Sequence, residues 1–73
     1  MDILITEEVY NMLYSWFEQH ELDPLDYLGE GADGYYVNYM MLMDLDAYFY
    51  EIDGAVYMIS MRPSQKGIFI GNL

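Results

Sequence analysis

Apolar residues recur at two different spacings along this chain, and each spacing predicts an element. Between residues 7 and 20 the period is helical. At about 100° per residue, Val9, Met12, Leu13, Trp16, Phe17 and His20 share one arc, and Glu7, Glu8, Asn11, Ser15, Glu18 and Gln19 take the opposite one. Tyr10 and Tyr14 fall at the boundary. Thr6 is placed to cap this helix, with Glu7 and Glu8 in its first turn, where the helix dipole favours anions. Between residues 47 and 61 the pattern is instead that of two strands, rich in aromatic and β-branched residues, folded back at Asp53-Gly54. A type I′ turn needs positive φ at both central residues, which Asp tolerates and Gly adopts freely.

That turn sets the pairing. Ile52 faces Ala55, Tyr50 faces Tyr57 and Tyr48 faces Ile59. One face of the ribbon then carries Tyr48, Tyr50, Ile52, Ala55, Tyr57, Ile59 and Met61. The other carries Ala47, Phe49, Glu51, Val56, Met58, Ser60 and Arg62. The first set is the more apolar and is expected to cover the helix. The second set, joined by Asn38, Met40 and Leu42, is expected to stay partly exposed as a contact surface centred on Phe49, Val56 and Met58.

The remaining segments are shorter. Ile3-Leu4-Ile5 reads as an edge strand or a lid on the core. Asp23 caps and Pro24 suits a first helical position, so residues 24–28 are expected to form one helical turn. Residues 29–34 hold three glycines and read as a flexible loop. Residues 35–43 read as the first strand of a meander, with a helix as the rival because Met and Leu are good helix formers. Residues 44–46 would turn into the hairpin, 63–67 form a loop, and 68–70 a short last strand. The predicted fold is α+β, a single domain over residues 1–73: one amphipathic helix and a short helical turn on a three- to four-stranded antiparallel meander.

Composition changes the picture in two ways. A chain of 73 residues has a thin core, and with no cysteine it has no disulfide or thiolate metal site to reinforce it. Yet its hydrophobic fraction is 55%, with nine Tyr and seven Met, more than a small monomer readily hides. Such a surplus points to a partner or to self-association, most simply a symmetric dimer. The charge is extreme as well: 13 Asp and Glu against 2 Lys and Arg, a formal −11. Nucleic-acid phosphates and anionic lipid are repelled by such a surface, and a basic protein is its natural complement. No apolar run approaches the length of a membrane span, and no basic stretch followed by an apolar one opens the chain, so a cytoplasmic location is expected.

Candidate chemistry is sparse. His20 is the only histidine, and no neighbour in sequence makes a case for a nucleophile or carboxylate held against it, so a capping or packing role is expected. Asp23, Asp26, Glu30 and Asp33 lie close together, but their order does not match the calcium-loop pattern and reads as solvated loop carboxylates. Asp44 and Asp46 are explained by turn chemistry. With no phosphate-binding loop, nucleophile elbow or paired Cys/His motif, neither an enzyme nor a cofactor is expected. The acidic residues themselves are the candidate site. Glu7, Glu8, Glu18, Glu21, Asp23, Asp26, Glu30 and Asp33, eight of the thirteen, fall between positions 7 and 33. If helix and loop share a side, Glu7, Glu18, Glu21, Asp23, Asp26, Glu30 and Asp33 form an acidic strip facing away from the sheet.

In size, charge, lack of cysteine and richness in Tyr, Asp and Glu, the chain resembles the small acidic inhibitors of phages and mobile elements. These include anti-restriction, anti-CRISPR and DNA-glycosylase-inhibiting proteins that imitate DNA. The resemblance lies in composition over the whole chain and rests on no motif. It implies an inhibitor that occupies the basic nucleic-acid site of a host defence or DNA-processing enzyme, acting in the host cytoplasm. The alternative is a module without mimicry, such as an antitoxin or assembly factor, that binds through an apolar Tyr/Met-rich sheet face.

Overall fold

The computed structural model describes residues 2–45, 49–59 and 67–73. In chain order these form β1 (Asp2–Ile5), α1 (Glu7–Gln19), a 3-10 turn (Pro24–Asp26), β2 (Leu28–Gly31), β3 (Gly34–Asn38), α2 (Tyr39–Met43), β4 (Phe49–Ile52), β5 (Ala55–Ile59) and β6 (Gly67–Asn72). The fold is α+β, with one main helix and antiparallel strands. The strands make two three-stranded sheets, in the orders β1-β3-β2 and β4-β5-β6, where the sequence predicted one meander.

Local chemistry explains most boundaries. The Thr6 hydroxyl accepts a hydrogen bond from Val9 N at 3.1 Å and starts α1. Asp23 Oδ1 accepts from Leu25 N at 3.0 Å, and Pro24 stands at the head of the 3-10 turn, which ends at Asp26 and not at Leu28 as expected, because Leu28 pairs with Val37 and opens β2. At Asp53-Gly54 both φ angles are positive, 51° and 84°, and Tyr50 pairs with Tyr57 and Ile52 with Ala55, as the two-residue turn requires. Tyr48 lies outside the described residues, so its pairing with Ile59 does too.

Three further expectations are corrected. Residues 29–34 are not a loop: Gly29, Glu30 and Gly31 belong to β2, which turns through Ala32 and Asp33 directly into β3. Residues 35–43 are not one strand. Asn38 Oδ1 accepts from Met41 N at 3.3 Å, caps α2 and ends β3, so the Met/Leu run follows its helical preference. This helix separates β3 from β4 and splits the strands into two sheets.

The third correction concerns the faces of the β4-β5 ribbon. Phe49, Val56 and Met58 are 8%, 0% and 2% exposed, whereas Tyr50, Ile52 and Phe69 are 36%, 53% and 49% exposed. The face expected to be a contact surface is core, and Leu42 is buried with it. Phe, Val and Met bring no hydrogen-bonding demand to a dry interior, while a tyrosine hydroxyl needs water or a partner. The tyrosine side therefore turns outward.

A single apolar core unites both sheets. Val37 of β3 and Val56 of β5, the central strands, are both fully buried, and Leu13 and Phe17 of α1 are buried with them. The Phe17 ring stacks on Tyr27 at 4.4 Å and lies 6.4 Å from Phe49, while Trp16 meets Phe49 edge-on at 5.6 Å. One helix thus bridges residues of both halves. The sheets also meet at β6. A Cβ at Gly71 would lie 2.6 Å from Ile3 Cγ2 and 3.1 Å from the Leu4 carbonyl oxygen. Only a glycine lets β6 approach β1 this closely. A bulge precedes it: Val56 pairs with Gly71 but Tyr57 with Phe69, leaving Ile70 as the extra residue, and both Ile70 and Gly71 are buried. Among the described residues no helix is long and apolar enough to cross a membrane.

Candidate protein-binding surface

All seven carboxylates of the expected strip, Glu7, Glu18, Glu21, Asp23, Asp26, Glu30 and Asp33, are exposed, as are Asp2, Glu8, Asp44, Glu51 and Asp53. The described residues include neither Lys nor Arg, since Arg62 and Lys66 lie outside them. The strip is not one tight cluster. Glu7 and Glu18 ride on α1, Asp33 sits in the β2-β3 turn, and Asp26 and Glu30 come together with Asp2 around a groove of about 390 Å³. Tyr27, Tyr36 and Asn38 also line that groove, while Glu7, Glu18, Glu21, Asp23 and Asp33 do not. Asp2 joins the set only because β1 pairs with β3, placing Asp2 opposite Asn38.

Two carboxylates have tyrosine partners. The Tyr35 hydroxyl donates to Glu7 Oε2 at 2.8 Å, and its ring packs on Tyr10 at 4.6 Å. This hydrogen bond to an anion, more than desolvation or the nearby charge of Glu30, holds the Tyr35 phenol above its ordinary range. The Tyr39 hydroxyl donates to Glu51 Oε1 at 3.2 Å; its phenol is also raised, first by desolvation and then by this bond. Glu51 Oε2 in turn accepts from Gly54 N at 3.2 Å and braces the hairpin turn. These carboxylates are oriented by the fold but still reach solvent.

His20 is the C-cap of α1. Its Nδ1 lies 2.8 Å from the Trp16 carbonyl oxygen and its ring stacks on Trp16 at 4.0 Å. The ring is exposed and belongs to the helix end. Among the described residues no three His, Cys, Asp or Glu side chains converge as a metal site.

A second surface lies on the outside of β4-β5-β6. Tyr50 stacks on Tyr57 across the ladder at 5.4 Å, and Tyr57 meets Phe69 edge-on at 5.8 Å. With Ile52 these rings make an apolar face on which Tyr50, Ile52 and Phe69 are exposed and Tyr57 half-buried; sequence reasoning assigned Tyr50, Ile52 and Tyr57 to the interior. The signal that could have found it was available: the face carrying tyrosines, each with a hydroxyl to satisfy, is the one that tolerates water. Phe49, Val56 and Met58, expected as contact residues, lie beneath it in the core. Compared with known proteins, the chain matches no family model, no curated protein and no solved structure.

Proposed function

We propose that this protein binds a basic nucleic-acid-processing protein and inhibits it by occupying the site where phosphates are held. One observation carries the proposal: every described carboxylate is exposed on a chain of formal charge −11, and no described Lys or Arg neutralises any of them. A rigid fold that displays fixed anions can take the place of a phosphate row against Lys and Arg side chains. A surface of this charge also draws a basic partner over a distance, an effect screened beyond about 8 Å at physiological salt. Such binding therefore weakens as salt rises. Partners captured from a host lysate should elute early in a salt gradient, and a nucleic-acid oligomer should displace the protein from them. Partners that resist both salt and the oligomer would contradict mimicry.

A second reading has its own observation. The exposed Tyr50–Tyr57–Phe69 ladder with Ile52 is the kind of apolar patch that marks protein contact, and tyrosine supplies large contact area at low conformational entropy. An antitoxin or assembly factor binding through it would survive salt and fail when these rings are removed.

A further inference from the structure

We infer that β2 is a docking edge, to which an extended Lys- or Arg-bearing segment of the partner adds as a further strand. This rests on the reading that the partner is basic, and it names how one part of that partner is held.

Hydrogen-bond geometry defines the edge. In the order β1-β3-β2, β2 has a neighbour on one side only. Asn38 N donates to the Tyr27 carbonyl oxygen at 2.8 Å, which makes Leu28 and Val37 a widely spaced pair of the ladder. Alternation then turns the backbone groups of Gly29 and Gly31 towards β3, and those of Leu28 and Glu30 away from it. Each of the latter turns one N–H and one carbonyl oxygen outward, the two residues about 7 Å apart along the strand; Glu30 is exposed, whereas Leu28, at 5% exposure, is the more covered of the two. Among the described residues no backbone partner meets them. The edge carries no proline, lysine or bulge; its protections are its four-residue length and the charge of Glu30, and that charge does not repel a basic strand. At Gly29 a Cβ would meet nothing within 4 Å, so that face of β2 is open.

Charge selects the occupant. The groove running past β2 is lined by Asp2, Asp26 and Glu30, with Tyr27 and Tyr36 beside them. A strand paired to β2 sends every second side chain to one face. Lysine or arginine at those positions would meet the carboxylates and lie against the tyrosine rings. A second copy of this chain is a poor occupant. Pairing β2 with its own copy would align Glu30 and Asp26 of two molecules, each of formal charge −11, along one seam.

The probe is a short blocked peptide of alternating lysine and valine, titrated into the isotope-labelled full chain and followed by amide resonances and hydrogen exchange. Strand addition shifts the Leu28 and Glu30 amides and slows their exchange. The same peptide N-methylated at alternate residues keeps its charge and should lose that effect. Glu30→Gln should weaken binding a few-fold, whereas Glu30→Pro, which also removes an outward N–H, should weaken it by about tenfold or more. Equal binding of the N-methylated peptide, or shifts confined to α1, would overturn strand addition while leaving the basic-partner reading intact. Self-association through β2 without peptide would overturn the choice of occupant. Absence of any peptide-induced change at β2 would overturn the docking edge itself.

Discussion

The two sheets are built alike and present opposite surfaces. Each has three antiparallel strands, a central strand with one fully buried valine (Val37 or Val56), and a two-residue hairpin turn. Outside, they diverge. The β1-β3-β2 sheet shows Asp2, Asn38 and a glycine-containing edge beside an acidic groove. The β4-β5-β6 sheet shows Tyr50, Ile52 and Phe69, with the half-buried Tyr57 between the rings. One surface suits cations and backbone pairing, the other apolar contact. The difference separates what holds the fold together, which is common to both halves, from what each half offers a partner.

The largest effect is expected where the halves share a residue. Phe17 is fully buried and packs on Tyr27 of one half and towards Phe49 of the other. Phe17→Ala should cost about 3–5 kcal/mol. A core of this size supplies about that much stability in total, so circular dichroism should show an unfolded chain at room temperature. A cooperative, near-native melt would mean the two sheets do not depend on this helix. Next comes the seam between them. Gly71→Ala drives a methyl into Ile3 and the Leu4 carbonyl and should cost about 1–3 kcal/mol, read as a lower urea midpoint. An unchanged midpoint would show that β6 and β1 adjust freely.

A more selective break is Gly54→Val. With φ of 84° at this position, a β-branched residue should cost about 1–2 kcal/mol. Its effect should be local: faster amide exchange in β4 and β5, with β2 and β3 less affected. Equal acceleration in both sheets would show that they open as one unit.

The smallest effect is one of pH. The phenols of Tyr35 and Tyr39 are both raised above the ordinary 10.0, so the folded state holds their protons more tightly than the unfolded state. Their stabilising contribution is complete below pH 10.0 and is lost as pH rises through the folded values. Stability should therefore decline above that point, and Tyr35→Phe with Tyr39→Phe should flatten the decline. A decline of unchanged slope in the double variant would assign it to other groups.

The parts of this fold legible in the sequence are those fixed by neighbours in the chain. Thr6 before Glu7 and Glu8, Asp23 before Pro24, and Asp53 before Gly54 each carry their own geometry, and the structure has all three. Ile3-Leu4-Ile5 and Ile68-Phe69-Ile70 likewise lie in strands. What was hidden depends on distant partners. Gly29 and Gly31 have no strand preference of their own, and they extend because β3 offers them a ladder. At Asn38 a single side-chain cap decided between strand and helix. The β4-β5 ribbon is apolar on both faces, so hydrophobicity did not choose which turned inward; the hydroxyls of its tyrosines did. The exposure of the strip carboxylates was legible because charge rarely enters a dry core. The edge position of β2 was not, since strand order is invisible in a pattern of single residues.

One measurement tells the two surfaces apart: the affinity of a captured basic partner, across a salt series, for the wild-type chain and two variants. The first neutralises the acidic side with Glu18→Gln, Asp23→Asn, Asp26→Asn and Glu30→Gln. The second removes the apolar face with Tyr50→Ser, Tyr57→Ser and Phe69→Ser, with its fold checked by circular dichroism. If the protein acts through its charge, the first variant loses binding and inhibition, and the wild-type affinity falls steeply as salt rises. The folded second variant keeps most of both. Undiminished, salt-resistant binding by the neutralised variant, with loss in the other, would contradict the proposal and assign the contact to the tyrosine ladder.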